Sequence, residues 1–269
     1  MTDLYAHISE VAPDIQERLA SVLEMRAADA RQMEMLKSYL SEIPFPNEAR
    51  VLEIGCGTGA VTRTLARWPG VFKAVGIDPS TTFIAKAKEL SKEFQNLTFE
   101  VADGRSLILA DASFDVVVVH TTLCHVPEPD KLLAQAHRVL KAGGWLAVFD
   151  GDYATATVAT SSVDTLEVCI DAFRGGFVHD QWLVRRLPAL IVAAGFSVQP
   201  TRSHGYVEAP EAGYLLTWID RGADLLVQNE AISSEMAEAF KVEARRRSIE
   251  KEWFGHIAFA SVLACKAAM

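Results

Sequence analysis

The run FDVVVVH at Phe114–His120 limits the fold more than any other stretch of the chain. Four consecutive valines leave no polar face, so a strand made from them has to be covered on both sides. Parallel sheets supply that cover, because the crossover between neighbouring strands carries a helix over one face. Such a sheet requires strand and helix signals to alternate along the chain, and they do. Residues 51–54, 74–77, 97–101 and 145–150 read as further short apolar strands. Amphipathic helical patterns fill intervals at about 59–68, 80–94 and 129–140.

The first of these units carries the sharpest local signal. In RVLEIGCGTGA, residues 50–60, a short strand breaks into Gly55, Gly57 and Gly59, and the chain resumes as the helix VTRTLARW. Glycines let backbone turn tightly and approach a ligand without a Cβ in the way. The helix beyond them offers unpaired N–H groups and a partly positive end. GCGTGA also fits the dinucleotide-binding pattern, with Ala60 in place of the third glycine. A tight turn without a ligand is the plain alternative.

Ligands of open parallel sheets sit beyond the carboxyl ends of the strands, and acids fall there in this sequence. Asp78 follows the second strand, nineteen positions after Gly59, where a carboxylate can take both hydroxyls of a ribose. Asp103 follows the third strand, where it can accept from an exocyclic amine, with the peptide N–H groups of Gly104 and Arg105 available to ring nitrogens. Each has a structural alternative: Asp78-Pro79-Ser80 also opens a helix well, and Asp103-Gly104 also makes a turn. Glu53, inside the first strand, is costly unless something satisfies it. It can accept from N–H groups of the loop or help to hold a cationic ligand, and it disfavours a pyrophosphate.

Half of the 269 residues are apolar and 23% are charged, an ordinary globular composition with enough chain for a sizeable core. The net charge of -9 argues against a broad nucleic-acid surface. The Arg245 to Arg247 run is interleaved with acids and reads as a solvated helix face. Four scattered cysteines, at 56, 124, 169 and 265, show no metal-ligand spacing and suit reduced thiols. The amino-terminus has no signal-peptide pattern, and no apolar stretch approaches the roughly 20 residues that span a membrane. A cytoplasmic location is expected; monomer and homodimer both remain open.

Residues 14–40 suit one or two amphipathic helices, ended by Pro44 and Pro46. Beyond Asp150 the pattern is mostly helical over 152–194. It allows a sixth strand at 196–200 and a charge-laced helical region at 210–252, and it closes on an apolar strand at 256–266.

VLEIGCGTG, VGIDPS, VADG and RVLKAGGWLAVFD resemble, in order and spacing, the motifs of class I S-adenosylmethionine-dependent methyltransferases. The segment FDVVVVHTTLCHVPEPDKLLAQAHRVLKAGG is similar to the small-molecule branch that includes ubiquinone and menaquinone biosynthesis enzymes. The resemblance implies a Rossmann-like α/β fold: a seven-stranded, mainly parallel sheet of order 3-2-1-4-5-7-6 with the last strand antiparallel. It is flanked by N-terminal helices and a helical insertion near the C-terminus. The whole chain, 1–269, is then one methyltransferase domain. Residues 14–45 form a helical cap, 46–150 the cofactor-binding core, and 151–269 the acceptor-side region. S-adenosylmethionine is the implied cofactor and S-adenosylhomocysteine its product.

On matching positions, methionine falls near Gly55, Gly57 and Gly59, ribose on Asp78 beside Pro79, and adenine against Asp103 and Gly104. His120 and Thr121 fall in the segment expected to line the methyl region. Arg26 and Gln32 reach the methionine carboxylate if their helix folds over the cofactor. Methyl transfer needs alignment and water exclusion, and some acceptors need a base. His120, His125 and His179 are the candidates for it, while Asp150 and Asp152 either orient an acceptor or form a turn. The expected reaction moves a methyl group to O, N or C of a small, apolar or aromatic metabolite, with no nucleic-acid partner and no metal. Phe173, Phe177, Trp182, Tyr206, Tyr214 and Trp218 supply aromatics for the acceptor pocket. Two rivals share the glycine loop. A nicotinamide-dependent oxidoreductase leaves Glu53 and the later motifs without a role, and a cofactor-binding module or non-methylating enzyme keeps the fold but not the transfer.

Overall fold

The computed structural model describes residues 3–268; Met1, Thr2 and Met269, the ends of the expected single-domain span, lie outside the described residues. Five parallel strands, β1 (Ala49–Ile54), β2 (Val71–Asp78), β3 (Leu97–Val101), β4 (Phe114–His120) and β5 (Leu140–Thr157), pair in the order β3-β2-β1-β4-β5. Val116 through Val119 are wholly buried, the two-sided cover that their unbroken run demands. The helices that cover them include α3 (Ala60–Ala66), α4 (Thr81–Leu90) and α5 (Pro129–Val139), each following its strand as the sequence alternation requires.

Beyond β5 the sheet continues with β8 (Gly255–Lys266), antiparallel to it. The far edge of β8 is taken by β6 (Phe196–Val198) at one end and β7 (Arg202–Glu208) along the rest. These two behave as one interrupted sixth strand, so the sheet has the seven-position order 3-2-1-4-5-7-6 with the last strand antiparallel.

The sequence reading departs from the structure here in two places. β5 does not stop at Asp150: Asp150, Gly151 and Asp152 pair with Ala260, Phe259 and Ala258, so the Asp-Gly-Asp segment is strand, not turn. The long apolar β8 offers a partner that outweighs the local turn preference of these residues. The stretch RSHGYVE is also a strand, which its polar composition concealed. Its inward positions include Tyr206 and the fully buried Glu208, and a buried carboxylate breaks the apolar alternation by which strands are recognised.

Glu208 is satisfied by three donor groups. Tyr206 Oη donates to Oε1 at 2.7 Å, Gly213 N to Oε2 at 2.8 Å, and Leu215 N to both oxygens at 3.1 Å. It thereby fixes the start of α8 (Leu216–Gln228), one of four helices in the late region with α6 (Glu167–Phe177), α7 (Leu183–Ala193) and α9 (Ser234–Ile249). Asp29 Oδ2 lies 2.8 Å from the same Tyr206 Oη and competes with Glu208 for its one hydrogen, which joins this network to α2 (Ala30–Leu40). Asp29 is the N-cap of that helix, accepting from Arg31 N. The preceding α1 (Pro13–Ala27) lies against α4 and α3. It is tied there by Ser80 Oγ donating to Gln16 at 2.5 Å and by the Arg63–Glu24 pair at 2.8 Å. No described helix is long and apolar enough to cross a membrane.

The crossing of α6 and α8 depends on Gly222, where a Cβ would overlap the Cys169 carbonyl. We expect Gly222→Ala to force the helices apart and cost about 1–3 kcal/mol. Urea unfolding monitored by circular dichroism measures this, and an unchanged midpoint would contradict the close approach.

Candidate functional site

A cavity of about 250 Å³ opens over the carboxyl ends of β1, β2 and β4. Its floor is the turn after β1. Gly55 N and Cys56 N both donate to Ile77 O, at 2.8 and 2.9 Å. Gly57 N donates to Asp78 Oδ2 at 2.9 Å, and Ser80 N to Asp78 Oδ1 at 2.9 Å. The loop is thus held by the next strand, and the same bonds fix the carboxylate of Asp78 at the cavity wall. Burial pushes Asp78 up to about 6 in spite of these two donors.

Of the loop residues expected to bind, Gly55 and Gly57 line the cavity, whereas Gly59 does not. Gly59 is the N-cap of α3 with φ +80°, and a Cβ there would strike the Phe99 ring of β3. Its role is to let α3 start close against the sheet. Glu53 is buried on the cavity side, but it bonds the Thr62 hydroxyl of α3 instead of the loop N–H groups, which Ile77 and Asp78 already occupy. Burial raises its pKa to about 8, with the nearby Asp78 charge adding to the rise.

Pro79, Asp103, Gly104, His120 and Thr121 also line the cavity. Asp103 closes on Arg105, whose side chain and backbone N–H both donate to it at 2.7–3.1 Å. The Arg105 hydrogen bonds hold this carboxyl below its ordinary pKa, while the Arg105 N–H expected to face ring nitrogens is consumed by the turn. Gly104 passes so close to Ile54 and Leu132 that a side chain would not fit.

Arg26 enters from α1. Its Nη1 donates to Thr121 Oγ1 at 2.8 Å, whereas Nη2 is buried with no hydrogen-bond partner. Gln32 of α2 also lines the cavity, and both ends of its amide are buried without partners. Three unsatisfied polar atoms at one place are expensive unless a ligand completes them. One guanidinium donor, one amide donor and one amide acceptor suit a zwitterionic amino-acid group, which carries both a carboxylate and an ammonium.

The histidines separate. His120 is held neutral, well below its ordinary pKa, first by burial and then by the Arg26 charge. Its Nδ1 is 2.9 Å from Tyr39 Oη, and its ring stacks on Phe149 with centroids 4.7 Å apart. His125 lines the cavity, with Nδ1 2.6 Å from Asp3 Oδ2. Asp3 also accepts from the backbone N–H groups of Tyr5 and His179, both at 2.9 Å. His179 itself is exposed and absent from the cavity wall, so its expected catalytic part finds no geometric support. Only its backbone contributes, through Asp3.

One wall of the cavity is aromatic. Tyr5, Tyr153, Phe173, Phe177 and Tyr214 line it, and Trp218 stacks on Phe173 from behind at 4.5 Å. Trp182 is half exposed against Arg185, and Tyr206 belongs to the Glu208 network, so neither is in the wall. Asp150 is buried and receives Cys124 N at 3.0 Å, while Asp152 pairs with Arg185 at 3.0 Å. Asp3, Tyr5, Tyr153 and Arg221 are among the site residues that the sequence did not disclose. Asp3 meets its partner across 122 positions, and no local pattern marks such a contact.

Residues 52–148 match the family described as "Methyltransferase domain". A trans-aconitate 2-methyltransferase from Deinococcus radiodurans is 32% identical over 160 residues, 58% of this chain and 58% of that protein. A demethylmenaquinone methyltransferase from Tropheryma whipplei is 38% identical over 109 residues, 40% of this chain and 44% of its own. The chain thus spans about half the length of the curated relatives it matches. Among solved structures, the [4+2]-cyclase SpnF superposes with a TM-score of 0.64 at 18% identity, covering 100% of this chain and 98% of that one.

The raised pKa of Glu53 has a consequence for stability. Folded protein holds this proton up to about pH 8, whereas an unfolded chain releases it near 4.5. Stability therefore falls as pH rises between those values, and Glu53→Gln removes that dependence. We expect the variant to be more stable than the parent by about 2–4 kcal/mol at pH 8 but not at pH 4.5, measured by urea unfolding at both. An equal effect at both values would show that Glu53 is not protonated in the folded protein. By its sheet order and its sequence homology, the chain has the class I S-adenosylmethionine-dependent methyltransferase-like fold and is related to small-molecule methyltransferases of the menaquinone type.

Proposed function

We propose that this protein is an S-adenosylmethionine-dependent methyltransferase that transfers a methyl group to O, N or C of a small, apolar or aromatic acceptor and releases S-adenosylhomocysteine. The observation that carries the reading is the trio of unsatisfied atoms on Arg26 and Gln32 beside the glycine turn, a match for the amino-acid end of that cofactor. Asp78 stands where ribose hydroxyls need an acceptor, and Asp103 with Gly104 bounds the adenine end. When bound, the cofactor supplies a methyl carbon already activated by a sulfonium. The protein's part is to align the acceptor, exclude water and take a proton where the acceptor has one to lose. We assign residues 14–45 as the cap that delivers Arg26 and Gln32, 46–150 as the cofactor half, and 151–269 as the acceptor half. The four free cysteines are the basis for proposing a cytoplasmic location.

For the proton, the geometry favours His125 over His120. With the Asp3 carboxylate as acceptor, His125 carries its hydrogen on Nδ1 and keeps Nε2 free to receive one. His120 is buried beside the Arg26 charge, which opposes protonation. It serves to orient neighbours through Tyr39 and Thr121. Because SpnF shares the fold, a product heavier by one methyl group, with stoichiometric S-adenosylhomocysteine, is the decisive observation. Acceptor turnover without that mass change would favour a non-methylating enzyme.

Two outcomes follow for binding and for chemistry. A carboxylate that takes ribose hydroxyls must be ionised, and Asp78 protonates near pH 6 in the ligand-free protein. S-adenosylhomocysteine affinity should therefore drop about tenfold per unit below pH 6. Asp78→Asn should weaken binding by about 1–3 kcal/mol at pH 7 and flatten that pH profile. Isothermal titration across pH decides it, and a parent-like profile in the variant would remove Asp78 from the site. Asp3→Asn should slow single-turnover methylation of a hydroxyl acceptor about tenfold or more while leaving cofactor affinity unchanged. Loss of affinity with normal transfer from the saturated complex would reduce Asp3 to a structural tether.

A further inference from the structure

We propose that the acceptor carries a carboxylate, and that Arg221 of α8 is the residue that binds it. The inference rests on the methyltransferase reading and deepens it by naming an acceptor class. Arg221 lines the same cavity as Arg26 but from the acceptor side. Its guanidinium lies over Phe177 at 4.1 Å and over Phe173 at 5.0 Å, and Nη2 is buried with no hydrogen-bond partner. No carboxylate lies within ion-pair distance of it among the described residues. The adjacent Asp220 is turned away and pairs with Arg245 at 2.8 Å.

Other anions of the cavity do not reach it. Glu53 is bonded to Thr62, Asp78 to Gly57 and Ser80, and Asp103 to Arg105. Arginine stays protonated at any physiological pH, so a guanidinium with one nitrogen buried and no counter-ion beside it is held at a cost in stability. The fold nonetheless holds it firmly. Glu208 anchors the start of its helix, and Gly222, the next residue, presses against the Cys169 carbonyl of α6.

Two cavity arginines each keep a nitrogen unsatisfied, and their hydrogen-bond and ring contacts differ, although the Tyr214 ring also lies 5.8 Å from Arg26. Arg26 touches Thr121 at the glycine-turn end, where the cofactor's own carboxylate is to be held. Arg221 stacks on Phe173 and Phe177, in the half where we place the acceptor. A planar guanidinium stacked on two rings presents its edge as a fork, the geometry that fits a carboxylate beside an apolar or aromatic body.

The test titrates benzoate, cinnamate and their neutral amides into the full-length protein saturated with S-adenosylhomocysteine, by calorimetry. Phenyl phosphate provides a second anionic arm. We expect the carboxylates to bind about tenfold or more tightly than the amides. Arg221→Met should abolish that preference, and Arg221→Lys should restore part of it. Both variants should keep parental S-adenosylhomocysteine affinity, which also shows that they fold. Equal binding of acids and amides, binding of neither, preference for phenyl phosphate, or an unaltered preference in Arg221→Met would each overturn the proposal. Failure of S-adenosylhomocysteine to bind the parent protein would sink the cofactor reading itself, and the acceptor proposal with it.

Discussion

The structure depends on how the backbone of the turn after β1 is satisfied. Peptide N–H groups there must be paired, yet the space above them must stay free of side chains. The end of β2 resolves both requirements: Ile77 O takes two N–H groups and Asp78 takes a third. Within the turn itself only Gly59 N is paired, to Cys56 O at 2.8 Å, so no side chain is needed above it. The arrangement also determines the electrostatics. Asp78 cannot move toward solvent without releasing Gly57 and Ser80, and the burial that follows raises its pKa. Glu53, one strand over, is buried with it and faces the same penalty more severely. A cation bound above the turn would relieve both.

The half of the chain that builds this turn was legible because its signals are local. Four valines in a row, three glycines at alternate positions and an Asp-Pro-Ser helix start each specify their element within a few residues. β3 and β4 have the expected bounds, and the sheet order agrees with the one implied by the family resemblance. The other half is held by contacts remote in sequence. β5 runs seven residues past Asp150 because β8, a hundred positions on, pairs with it. β7 carries a buried glutamate whose donors lie in the next helix and whose Tyr206 partner reaches back to Asp29. No pattern within β7 alone announces either partner.

Candidate site residues divide the same way. Asp78 and Gly55 were placed by motif and line the cavity, and Arg26 by the need for a counter-charge. Gly59 obeys the motif but serves packing beneath Phe99, since a glycine pattern does not say which glycine faces the ligand. His179 illustrates a different error. It lies in a segment rich in aromatics, and the rings do reach the cavity, but its own side chain follows the chain outward where Asp3 holds the backbone. Arg221 stayed hidden because arginine on a helix with acids nearby reads as surface. Only the α6–α8 approach at Gly222 turns it inward.

Charge balance links the two halves of the cavity. At neutral pH Asp78 is ionised and Glu53 retains its proton, while Arg105 offsets Asp103. Among the residues that line the cavity, the guanidinium groups of Arg26 and Arg221 stand against one free negative charge, with the Asp3 carboxylate outside the wall behind His125. The proposed cofactor adds a carboxylate, an ammonium and a sulfonium, which raises the excess by one. Ionisation of Glu53 would cancel that increment, and the sulfonium is the cationic group that an ionised Glu53 could favour. The remaining positive charge is then at Arg221, in the half that we assign to the acceptor. A neutral acceptor would leave it uncompensated in a low-dielectric space, whereas an anionic one completes the balance before transfer.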